Sequence, residues 1–150
     1  MKPIKPKDMN TIKNLWPATL QLPPEITPLR LLTAQADFLT EFTKGVLTAT
    51  VTTRLKQSAD APMGNLKIFG EVFCHSLNIT APALGYNTTF LTVRHQPLKI
   101  YPLYIYADIT YDEHTAKTYE EFEQHLAKIW RKPEVMNGVW ALMLQSGEVG

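Results

Sequence analysis

Between residues 46 and 109 the chain keeps returning to a period of two, and this limits what it can fold into more than any other feature. Leu47, Ala49, Val51 and Leu55 alternate with Thr48, Thr50, Thr52, Arg54 and Lys56, the pattern of a strand with one face on a core and one in water. Residues 57–65, with Pro62 and Gly64, read as a turn. In the second strand expected, 66–79, the apolar residues change sides. Leu66 and Ile68 fall on one parity and Phe69, Phe73, Leu77 and Ile79 on the other, so a bulge or bend is expected near Gly70. Residues 80–87 form a loop around Pro82 and Gly85, and 88–94 give a third strand that Gln96 and Pro97 interrupt. The fourth, 100–110, sets Leu103, Ile105, Ala107 and Ile109 against Tyr104 and Tyr106, with Pro102 confined to an edge or a strand start because it cannot donate to a ladder.

Helices bracket this run. Thr27 is placed to cap a helix that Pro28 opens, with Ile26 stapled on Leu31, and Lys44 followed by Gly45 supplies the stop. Leu31, Ala34, Phe38 and Phe42 make its expected buried stripe, widened by Leu32 and Leu39. Further on, Thr118 and Glu121 form a capping box before Tyr119, Phe122, Leu126 and Ile129, and this helix runs to Arg131 and Lys132. Pro133 opens the last helix, where Val135, Val139 and Leu142 share a face near Met136 and Met143. The links between strands are too short for helical crossovers, so an antiparallel meander follows. The expectation is an α+β domain: a four-stranded, mainly antiparallel sheet with helices on one face, in the order α-β-β-β-β-α-α.

A chain of 150 residues supports one core, and 45% hydrophobic with 19% charged residues excludes a disordered polymer. The division expected is an irregular arm, 1–26, and a single domain, 27–150. Pro3, Pro6, Pro17, Pro23 and Pro24 deny the arm a helix, while Leu15, Trp16, Leu20, Leu22 and Ile26 are too many for a solvated tail and call for the arm to lie across the domain. A net charge of +1 argues against nucleic acid and against an anionic membrane as partners. Lysines near the start have no apolar stretch behind them, which speaks against a secretory signal, and the longest apolar run, 139–144, is too short to span a membrane. The single cysteine, Cys74, forms neither an internal disulfide nor a zinc cluster and reads as a small buried residue of a cytoplasmic protein.

Phosphate-loop, dinucleotide-fingerprint, zincin and nucleophile-elbow motifs are absent from the sequence, and no cofactor or metal is expected. Glu71 and His75 share a strand face but stand ~13 Å apart, while antiparallel pairing can bring His95 near His75. The three together could bind a metal or supply a general base; polar residues on a partly solvated face is the reading preferred, for want of any ligand spacing. His114, Asp112, Glu113 and His125 read as surface residues, and Asp108 as an acceptor on the tyrosine side of its strand. The stronger lead is aromatic. By strand parity Phe69, Phe73, Tyr104 and Tyr106 share one sheet face with Glu71, His75 and Asp108, a surface suited to a protein groove, to the arm or to a second copy of the chain. The function expected is therefore non-enzymatic: a protein-interaction or adaptor module acting through that face or a strand edge, with a protein partner or a homodimer. The alternative is a small ligand-binding domain or enzyme around His75, His95 and Glu71.

Overall fold

Each strand of the sheet hydrogen-bonds to the strand next to it in sequence. The computed structural model describes residues 11–20, 22–57 and 70–149. In chain order these form α1 (Pro28–Phe42), β1 (Thr48–Gln57), β2 (Glu71–Ala81), a single 3-10 turn (Pro82–Leu84), β3 (Tyr86–His95), β4 (Leu103–Ala107), β5 (Asp112–Ala116), α2 (Tyr119–Trp130) and α3 (Pro133–Val149). The strands lie in the order β1-β2-β3-β4-β5, each antiparallel to its neighbours, and the three helices contribute to one core on a single face. The molecule is thus an α+β meander, with five strands rather than four. The fifth is the polar segment DEHTA, of which Ala116 alone is buried, so nothing in its sequence alternates. It pairs in full with β4, from Ala107 opposite Asp112 to Leu103 opposite Ala116.

The helix ends are built as their residues dictate. Thr27 Oγ1 accepts from Arg30 N at 3.2 Å with Pro28 in the first turn, and Gly45, at φ +80°, donates its N–H to Thr40 O at 2.9 Å to close the helix. Thr118 Oγ1 accepts from Glu121 N, and the Glu121 carboxylate reaches back to accept from Lys117 N. The rotation of α1 differs from expectation. Its buried line is Pro28, Leu32 and Ala36, whereas Phe38 and Phe42 are 61% and 78% exposed. The cause is the face that α1 bonds to the chain entering β1. Thr40 Oγ1 accepts from Ala49 N at 3.0 Å and Thr43 Oγ1, at the C-cap, donates to Leu47 O at 3.0 Å, which turns the Leu32–Ala36–Thr40 line toward the sheet and Phe38 and Phe42 away from it. Phe122 and Ile105 are fully buried and Leu126 nearly so, as their phases require, while Val51 is half-buried.

The core side of the sheet carries Leu47, Ala49, Leu77, Ile79, Leu91, Val93, Leu103, Ile105 and Ala107. Gly70 stands at a bend with φ +87°, as expected, and a bulge interrupts the β2–β3 ladder further along: Leu77 faces Leu91 but Asn78 faces Thr89, leaving Phe90 as the extra residue. Phe90 and Leu91 are consequently both buried in the same core, although they are adjacent. The arm departs from expectation too, since Ile12, Leu15, Trp16, Leu20 and Leu22 are exposed and cover no core. Among the described residues, no helix is long and apolar enough to cross a membrane.

Candidate functional site

Register decides which of the expected surface residues meet. Phe73 faces His95 and His75 faces Val93, on the side of the helices, whereas Tyr104 faces Arg94 and Tyr106 faces Thr92 on the opposite side. Neighbours along a strand point to opposite faces, so the Arg94–His95 step separates the two sets. Phe73 therefore does not share a face with Tyr104 and Tyr106, and Phe69 lies outside the described residues. The tyrosines are largely withdrawn from solvent: Tyr104, with Val72 and Cys74, forms a small second cluster on which Tyr106 packs. Burial first, and then the neighbouring Glu113, push the Tyr104 hydroxyl well above its usual range. Glu71 is exposed at the start of β2.

His75 and His95 do come together. Their Nε2 atoms are 2.9 Å apart, His75 Nδ1 lies 2.8 Å from Thr53 Oγ1, and His95 Nδ1 lies 2.8 Å from Gln96 O. Phe73 packs against both rings, 6.2 and 5.8 Å between centroids. Proton positions follow from the one partner that can only accept. The Gln96 carbonyl requires a proton on His95 Nδ1; neutral His95 then accepts at Nε2, His75 donates from its own Nε2, and the Thr53 hydroxyl donates to His75 Nδ1. One added proton fits on His75 Nδ1 with Thr53 turned to accept. A second would set two N–H groups head-on. Burial, and then the proximity of His95, lower His75 to about 4; burial likewise lowers His95, against the raising effect of its bond to Gln96.

The remaining histidines pair as well, in place of the ordinary surface positions expected. His114 of β5 and His125 of α2 lie 4.7 Å apart between ring centroids, and both are half-buried. Burial and then the neighbouring His125 lower His114. Among the described residues, no three His, Cys, Asp or Glu side chains converge as a metal site requires.

An apolar opening lies on the helix side of the sheet, away from the tyrosines. A groove of about 330 Å³ runs between α1 and α3, with Leu77, Ile79 and Phe90 as its floor, Phe38, Leu39 and Phe42 as one wall, and Val135, Met136 and Val139 of α3 with Trp130 at the end of α2 as the other. Its sequence signal was the excess of apolar residues in α1. A helix lying on a sheet buries one stripe, and a sequence with Leu31, Leu32, Ala34, Ala36, Phe38, Leu39 and Phe42 has enough for two. Neither His75 nor His95 lines this groove. No protein-family model, curated protein or solved structure matches the chain.

Proposed function

We propose that this chain is a protein-binding module that receives the apolar face of a partner helix in the groove between α1 and α3. The observation that carries this reading is the exposure of Phe38 and Phe42 one turn apart, beside a floor made of core residues. An apolar groove with helical walls over a core floor is a shape that receives the apolar face of an amphipathic helix, and apolar patches of this kind mark association surfaces. Burying two phenyl rings on binding contributes about 1.5–3 kcal/mol each. The competing reading, chemistry at His75, His95 and Glu71, has less support: the two rings satisfy one another, and Glu71 stands apart in solvent.

Site-specific photo-crosslinking in the cells that make the protein tests the proposal. A crosslinker at Met136, in the groove, is expected to give a discrete protein adduct that disappears with Phe38→Asp. A crosslinker at Thr115, on the far side of the sheet, is expected to give none. An adduct from Thr115 alone, or one from Met136 unaffected by Phe38→Asp, would overturn it.

A further inference from the structure

The side of the sheet facing away from the helices has a different character, and nothing above assigns it a role. Arg54 faces Cys74, which in turn faces Arg94, so two arginines flank Cys74 from the strands on either side. Adjacent strands lie about 4.8 Å apart, which sets the two arginine backbones ~10 Å from one another, within reach of a single small ion by side chains of this length. Lys56 is two residues beyond Arg54 and points the same way. These three cations line a cavity of about 210 Å³ together with Thr52, Ser76, Asn78, Thr89 and Thr92, and the lining includes no carboxylate.

We infer that this cavity is a binding site for a small phosphate-bearing ligand, with Arg54, Lys56 and Arg94 as its cationic contacts. Like charges gathered on one sheet face repel, and an anion between them turns that repulsion into attraction. The floor is already organised. Asn78 donates its amide to Thr52 Oγ1 at 3.2 Å and accepts from the Thr89 hydroxyl at 2.8 Å, a bonded row across three strands that leaves the Thr52 hydroxyl proton directed elsewhere. Arg94 rests over the Tyr104 ring, 6.0 Å from its centroid, so its planar group is held against the sheet. Asp108 is not itself in the lining, but it accepts from the lining Thr92 at 3.2 Å and is near enough to Arg94 for their charges to attract, which leaves Arg54 and Lys56 as the less compensated cations. Donors approach from β1, β2 and β3, and a tetrahedral phosphate presents oxygens in more directions than a planar carboxylate can. The small volume and the chain's near-neutral charge select a small ligand over a nucleic-acid strand, which needs an extended basic track.

The experiment is an amide-resolved NMR titration of the full chain with inorganic phosphate and with free phosphoserine, alongside a thymidine oligonucleotide. Both phosphates are expected to shift amides of residues 52–56, 74–78 and 92–94 in a saturable way. Arg54→Gln, at an exposed position, is expected to weaken binding about tenfold, as loss of one charge-assisted contact would, while Lys128→Gln on α2 leaves it unchanged. Shifts that are absent, scattered over the surface or insensitive to Arg54→Gln would overturn the inference. So would binding of the oligonucleotide alone.

Discussion

His75 and His95 make the most pointed prediction at the scale of single residues, because their shared proton leaves room for one more and no second. Both titrate below the ordinary histidine value of 6.5 in the folded protein, His75 at about 4. The unfolded chain therefore takes up protons first as pH falls. The contribution of the pair is complete above pH 6.5 and declines below it, and the part due to His75 is lost as pH falls through about 4. Urea unfolding at pH 7.5 and pH 4.5 should show the acid sample less stable by roughly 1–3 kcal/mol on this account, and His75→Gln should flatten that difference. An unchanged pH dependence in the variant would place the acid sensitivity elsewhere. The meeting of these two rings was legible in the sequence, since they sit on strands that a short loop makes antiparallel. The isolation of Glu71 was legible too, being a matter of strand rise. The pairing of His114 with His125 was not, because the strand that carries His114 has no hydrophobic alternation to announce it.

Among the elements, α1 and α2 offer a contrast between two helices of similar apolar content. Phe122 of α2 is fully buried, so Phe122→Ala should lower stability by about 3–5 kcal/mol. Phe42→Ala should change it by less than about 1 kcal/mol, since a ring mostly in solvent leaves no cavity behind. Chemical denaturation of the two variants checks both; a large loss at Phe42 would mean that the groove wall is integral to the core. At the start of α2, Thr118→Ala should remove the hydroxyl that accepts from Glu121 N and lower stability by about 0.5–2 kcal/mol. Helix ends were readable because capping is local chemistry. The rotation of α1 was not, because Leu32 with Ala36 and Leu31 with Phe38 offer two stripes of comparable strength. What decides between them is a pair of tertiary bonds from Thr40 and Thr43 to the chain entering β1. β5 escaped notice for a related reason: its residues are polar, and the contacts that hold it, Asp112 with Lys132, His114 with His125 and Ala116 with the core, are tertiary.

For the whole molecule, the described part of the arm sets the expectation. With Leu15, Trp16, Leu20 and Leu22 all exposed, beginning the chain at Glu25 should leave the urea midpoint nearly where it was, and a loss above about 2 kcal/mol would show that the arm is structural. The same deletion removes much of the exposed apolar surface and should make the protein more soluble. Among the described residues the sheet is open at β1 and β5, and Arg54 and Lys56 on β1 give its longer edge the charge that discourages pairing with another chain. That meander also bears on how the fold is reached in time. Because spatial order repeats chain order, no strand waits for a distant partner, and the loop entropy to be overcome at each step is that of a single connection, the longest being residues 58–70 between β1 and β2. A hairpin closes in about 1–10 μs, whereas a ribosome adds only about 5–20 residues per second. Each new strand can therefore find its partner already out of the exit tunnel, and the sheet can grow from β1 to β5 in the order of synthesis.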